Sequence, residues 1–221
     1  MPRRLLLSAL VPALLAVLLA IDPPAPRNAA ARSSLAPATS TGAPGEGDCL
    51  DCHGLSLNDG VGSVAIAVAG LSSGAYQPGQ TYDVTVTVTR GGSLRWGFSM
   101  TALRNSDNAM SGTFTQGTDN FTNTRTGTVT GQSRTYIGHT TGLGADGTFD
   151  NTGGPANCTF KWTAPAAGAG AVTLYVCGLA CDSDGGTSDA DYPYTSTLVM
   201  QEGVPTATLQ TTWGALKTHY R

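Results

Sequence analysis

Charge is scarce in this chain. Asp, Glu, Lys and Arg supply 12% of its 221 residues, and 12 Lys and Arg are outnumbered by 15 Asp and Glu. A formal charge of −3 without a basic cluster argues against a nucleic-acid partner, because phosphates demand grouped Lys and Arg. Aromatic residues are few as well, at 7%. No Gly-rich phosphate loop, nucleophile elbow or Ser/His/Asp arrangement is present, which removes the common nucleotide-binding and hydrolase motifs. Sustained helical periodicity is missing too. Histidine occurs only 3 times, so each one asks for an explanation. What the chain has in quantity is glycine, with 29 residues, and threonine. That composition suits an extracytoplasmic all-β module, and the length allows one domain with a sizeable core.

Against this background one pentapeptide carries chemistry. Cys49-Leu50-Asp51-Cys52-His53 has the spacing of a c-type haem attachment site. Two cysteines three apart can each add across a vinyl group of one porphyrin, and the adjacent histidine is close enough to ligate the iron. With 5 Cys and 3 His in the whole chain, CxxCH is not expected by chance. Two other uses remain open for the same residues. Cys49 and Cys52 could form a short disulfide, or they could supply half of a zinc site with Cys177 and Cys181. Neither needs His53.

The N-terminus reads as an export leader over residues 1–31. Arg3 and Arg4 precede an apolar run over 5–21, and small residues follow at Ala29, Ala30 and Ala31. The run is short for a membrane span and leads into Pro23, Pro24 and Pro26, so a cleaved leader is expected, with no stable membrane span after cleavage, and an uncleaved membrane anchor is the alternative. Cleavage after Ala31 removes Arg3, Arg4 and Arg27 together with Asp22, two net positive charges, and moves the formal charge from −3 to −5. Residues 32–47 are mostly Ser, Ala, Pro, Thr and Gly without periodicity, the pattern of a flexible linker. Residues 48–60 form the haem-attachment segment, 61–203 the folded domain and 204–221 a tail with no membrane-length apolar run.

The domain reads as strands. Tyr82, Val84, Val86 and Val88 alternate with Thr81, Asp83, Thr85, Thr87 and Thr89, which puts apolar side chains on one face. Similar β-rich runs lie at 64–71, 94–103, 110–115, 134–139, 158–163, 171–178 and 192–201. Turn signals such as Pro78-Gly79 and Gly91-Gly92 separate them. The expected fold is an all-β, Ig-like antiparallel sandwich of about seven to nine strands.

Several motifs recur in a family order: TGAPGEG before the CxxCH, then Tyr76-Gln77-Pro78-Gly79-Gln80-Thr81-Tyr82, Arg95-Trp96-Gly97-Phe98, Tyr136-Ile137-Gly138-His139-Thr140 and Phe160-Lys161-Trp162-Thr163-Ala164-Pro165. Over residues 39–201 this set resembles the bacterial reeler-like domains also called choice-of-anchor V proteins. The resemblance implies an exported β-sandwich related in shape to the reelin N-terminal domain, here joined to a CxxCH segment. Such proteins often carry a C-terminal anchor, which residues 204–221 do not resemble.

His53 is the expected proximal iron ligand. His139, at the end of a strand-like run and in the YxxHT segment of the resemblance, is the candidate distal ligand, set against the plainer role of a loop histidine bonded to nearby backbone. Met100, Met110, Met200 and His219 are fallback ligands. Methionine would raise the haem potential relative to a second histidine, and an open sixth position would admit small molecules. Tyr136, Trp96 and Phe98 could pack on a porphyrin, but aromatics in strands more often fill the core. Cys158, Phe160 and Trp162 share one strand face and read as core. Arg95 could meet a haem propionate or sit solvated.

Once haem takes two cysteines, Cys158, Cys177 and Cys181 are left. A disulfide between Cys177 and Cys181 around a small loop is expected in an oxidising compartment, and pairing with Cys158 is nearly as plausible. The loop Asp182-Ser183-Asp184-Gly185-Gly186-Thr187-Ser188-Asp189-Ala190-Asp191 is acidic, but an EF-hand starting at Asp182 would put Pro193 at the bidentate position, so it reads as a plain turn-rich loop. The expected function is an exported monohaem c-type cytochrome-like protein that passes single electrons to an unidentified redox partner protein or extracellular acceptor. It is more an electron carrier than a catalyst, in the periplasm, on the cell surface or outside. The competing readings are a non-haem surface or adhesion module, and a haem enzyme or gas sensor with an open iron site.

Overall fold

The computed structural model describes residues 32–204. The expected leader at 1–31 and the candidate ligand His219 lie outside the described residues. Among the described residues ten strands follow one another: β1 (Ser63–Val68), β2 (Ala75–Tyr76), β3 (Thr81–Thr89), β4 (Arg95–Arg104), β5 (Thr113–Thr115), β6 (Thr122–Val129), β7 (Gln132–His139), β8 (Ala156–Thr163), β9 (Val172–Cys181) and β10 (Tyr192–Glu202). They form a four-stranded sheet, β1-β3-β8-β5, and a six-stranded sheet, β2-β10-β9-β4-β7-β6. Every pairing is antiparallel except the short parallel one between β2 and β10. No helix among the described residues is long and apolar enough to cross a membrane.

The four-stranded sheet is built on alternation. β3 turns Tyr82, Val84, Val86 and Val88 inward, and its partner β8 turns Ala156, Cys158, Phe160 and Trp162 inward. On the outer face, threonines pair across the same two strands, Thr81 with Thr163 at 2.8 Å and Thr85 with Thr159 at 2.9 Å. The facing sheet contributes Trp96, Phe98, Met100, Leu174 and Val176 to the same core, where Phe98 stacks on Phe160 with ring centroids 5.8 Å apart. The core reading of Cys158, Phe160 and Trp162 therefore holds, and Trp96 and Phe98 belong there too. Burial pushes the Cys158 thiol up to about 12, leaving a small inert hydrophobe.

Residues 32–47 do not behave as a flexible linker. They run over the outer face of the six-stranded sheet and bond to it repeatedly. Ala36 N–H donates to the His139 carbonyl at 3.2 Å, Thr141 N–H to the Ser33 carbonyl at 3.1 Å, and Ser99 Oγ to the Pro37 carbonyl at 3.1 Å. A side chain at Gly138 would meet the Ala36 Cβ at 2.5 Å and the Phe98 carbonyl at 2.6 Å, so glycine there lets the segment lie flat. The segment is fastened by Glu46, whose buried carboxylate accepts from Arg134 Nη1 at 2.6 Å, Tyr136 Oη at 2.8 Å and Thr41 Oγ1 at 2.6 Å. Tyr136 is thus buried under this segment, and burial followed by the Glu46 charge pushes its hydroxyl well up. Composition alone reads the segment as a linker because its anchors are backbone groups and one carboxylate, which carry no hydrophobic period.

Candidate functional site

The CxxCH residues sit where that covering segment ends. Asp48 caps a single 3-10 turn, Cys49–Asp51, by accepting from the Leu50 N–H at 2.7 Å. His53 N–H closes the turn on the Cys49 carbonyl at 2.9 Å. The next residue passes so close to the loop before β10 that a Cβ on Gly54 would lie 2.2 Å from the Asp191 carbonyl, with φ at +69°. A side chain there would push the turn off the sheet.

His53 is held by a residue that sequence reading assigned to a plain loop. Its Nδ1 lies 2.7 Å from Asp191 Oδ2, which also accepts the Ser188 N–H at 3.1 Å. Asp191 is 1% exposed, and its second oxygen, Oδ1, is buried without a hydrogen-bond partner. Burial opposes ionisation of Asp191, but the contacts from His53, the Ser188 amide and the Cys181 thiol outweigh it and hold the carboxyl below its ordinary range. The reverse acts on Cys181, whose thiol is pushed well up by burial and then by the Asp191 charge. Ligand atoms of His53, Cys181 and Asp191 all lie within 4.8 Å of one another.

Two adjoining open clefts meet at this point, enclosing about 610 Å³ and 570 Å³ with their mouths included. Cys49, Cys52 and His53 line the first, Arg95, Cys181 and Asp184 the second, and His53 and His139 line both. The two histidines proposed as axial ligands are therefore brought to one place. His139 is nearly buried, at 8% exposure. Its Nδ1 accepts from the Phe98 N–H at 2.9 Å and is 3.2 Å from the Phe98 carbonyl, while Nε2 donates to the Arg32 carbonyl at 3.0 Å. Burial lowers its basicity, with the neighbouring Arg95 and His53 acting the same way. Arg95 itself bonds Thr148 Oγ1 at 3.2 Å along the cleft wall. Of the fallback ligands, Met100 and Met200 are buried in the core, and neither they nor Met110 lines either cleft.

The expected Cys177–Cys181 disulfide is not compatible with this fold. Both residues belong to β9, which extends through Cys181 instead of ending before it. Four residues along a strand separate their Cα atoms by roughly 13 Å, whereas a disulfide needs less than about 7 Å. All five cysteines are free. The same separation prevents Cys49, Cys52, Cys177 and Cys181 from sharing one zinc ion. Cys177 instead faces Cys49, whose N–H donates to the Cys177 Sγ at 3.2 Å. That thiol neighbour, followed by burial, pushes the Cys49 thiol well above its ordinary range. Pairing with Cys158 is excluded on similar grounds, because Cys158 points into the core while Cys177 lies on the opposite face of the six-stranded sheet, under residues 48–53.

No family model and no curated protein matches the chain. Among solved structures the chain is similar to the human F-spondin reeler domain, at 19% identity and a TM-score of 0.39 over 67% of this chain and 92% of that one. A type II cohesin domain from the cellulosome of Acetivibrio cellulolyticus aligns at 11% identity and a TM-score of 0.33, over 63% of this chain and 95% of that one. The sandwich assignment rests on the strand pairings themselves: two β-sheets, antiparallel but for one short parallel pair, closed over one core.

Proposed function

We propose that this chain is an exported, reeler-like c-type haem protein that carries single electrons. The observation that carries the reading is the pairing of His53 Nδ1 with buried Asp191 beside a cleft lined by both CxxCH cysteines. A carboxylate on one ring nitrogen sets the tautomer and the ring orientation, and leaves Nε2 as the nitrogen for an axial bond. Cys49, Cys52 and His53 are the donor types a c-type haem takes, and all three line one cleft, which supports the reading. Cys49 and Cys52 would hold it by thioethers, His53 Nε2 would ligate it, and Asp191 would hold the imidazole in place. Bound haem supplies a one-electron iron couple.

His139 suits the distal side. Moving its proton to Nδ1 would turn that nitrogen from acceptor of the Phe98 N–H at 2.9 Å into donor to the Phe98 carbonyl at 3.2 Å, giving up the first bond, and would release Nε2 from the Arg32 carbonyl. The partner in this reading is a redox protein or an extracellular acceptor.

A second reading has its own observation. His53, Cys181 and Asp191 offer nitrogen, sulfur and oxygen within 4.8 Å, and the Asp191 Oδ1 lacks a partner. Such a mixed set suits a zinc-class ion in a non-haem surface module.

One preparation separates the two. The full chain, produced with cytochrome c maturation factors, should show a Soret band and a covalent haem mass increment. Cys49→Ser with Cys52→Ser should be colourless and still folded. Haem that survives denaturing electrophoresis in the double variant refutes the assignment, and a colourless parent holding one equivalent of zinc selects the second reading.

A further inference from the structure

We propose that Cys177 is a covalent partner of Cys49, so that a Cys49–Cys177 disulfide and a thioether at Cys49 are alternative fates of one sulfur. The bond itself goes beyond the haem reading; only its effect on attachment rests on that reading. The Cys49 amide nitrogen is 3.2 Å from Cys177 Sγ across 128 residues of sequence. Its Cβ hangs from the same Cα, which puts the two side chains within disulfide reach. Cys177 is 0% exposed on the outer side of β9, where neither of the other two cysteines of the sandwich strands can reach it. Cys181 is too far along the same strand, and Cys158 lies across the sheet. Cys52 lines the cleft with His53 and borders a second opening with Thr187, Ser188 and Asp189.

The chemistry balances with an oxidised dithiol or glutathione disulfide as oxidant. The two thiols give up two protons and two electrons, the S–S bond forms between Cys49 and Cys177, and the oxidant's disulfide is reduced to two thiols. The product would fasten the CxxCH turn to the central strand of the larger sheet. It would also withdraw Cys49 from a vinyl group, leaving Cys52 alone. Reduction of that bond would then be a precondition for double attachment.

The test uses the haem-free full chain, reduced and then exposed to glutathione disulfide, with peptide mapping under non-reducing conditions. The Cys49–Cys177 crosslinked peptide should dominate, and Cys177→Ser should abolish it and leave Cys49 free or glutathionylated. In cells carrying the maturation factors, Cys177→Ser should raise the fraction of chain with two thioethers severalfold. A dominant Cys49–Cys52 crosslink, or glutathionylation of Cys49 as frequent in the parent as in Cys177→Ser, overturns the proposal. If neither chain takes up haem, the mapping still decides the disulfide, and the loss falls on the haem reading alone.

Discussion

Asp191 and His53 are 138 residues apart, and a 2.7 Å contact ties the CxxCH segment to the loop before β10. Replacing Asp191 with Asn keeps the shape and removes the charge, so at pH 7 Asp191→Asn should lower unfolding stability by about 1.5–3 kcal/mol, read from urea midpoints. Because the folded carboxyl is held below its ordinary value of 3.8, its contribution is present above that value and is lost as pH falls through the folded one. The parent and variant curves should therefore converge in acid. His139 runs on a higher range. Burial lowers it from 6.5, so the stability it contributes as a neutral ring is present above 6.5 and declines as pH drops below. In haem-loaded protein, His139→Ala should shift the spectrum toward high spin and let carbon monoxide bind the ferrous form; an unchanged low-spin spectrum rules His139 out as the axial ligand. The CxxCH and His139 were visible in the sequence because their types are rare and their spacing is local. Asp191 was hidden, since one aspartate in an acidic turn has no pattern until the fold brings it to a histidine.

Strands of the smaller sheet were legible for the reason that makes the larger sheet hard to read. β3 and β8 alternate because one face is solvated. In β4 and β9 nearly every residue is buried on one side or the other, so alternation vanishes, and sequence pattern ends β9 three residues short, with the look of a loop and of a disulfide that the strand does not allow. β6 carries no such signal at all. It is an edge strand of Thr, Asn, Arg and Gly in which only Thr122 and Val129 are buried. The element that covers the larger sheet depends on Glu46. Its side chain is fully buried against Arg134, which is itself 2% exposed. Glu46→Ala leaves that guanidinium buried without a counter-charge, and should cost about 3–5 kcal/mol in urea unfolding. The variant should also open residues 32–47 to limited proteolysis, while the sheets stay resistant. Equal protease resistance in parent and variant would mean the carboxylate does not hold the segment down.

Across the whole molecule, two parts distant in sequence build one wall of the site: a segment that precedes every strand, and the last two long strands of the sandwich. β9 and β10 supply Cys177, Cys181 and the Asp191 loop, while residues 48–53 supply Cys49, Cys52 and His53. This arrangement imposes a clock. A ribosome adds roughly 5–20 residues per second, so the 128 residues between Cys49 and Cys177 take on the order of ten seconds to make. During that interval Cys49 exists and its competitor does not. An agent that modifies the pentapeptide on the growing chain meets an uncontested thiol; one that arrives after completion must first pull it away from Cys177.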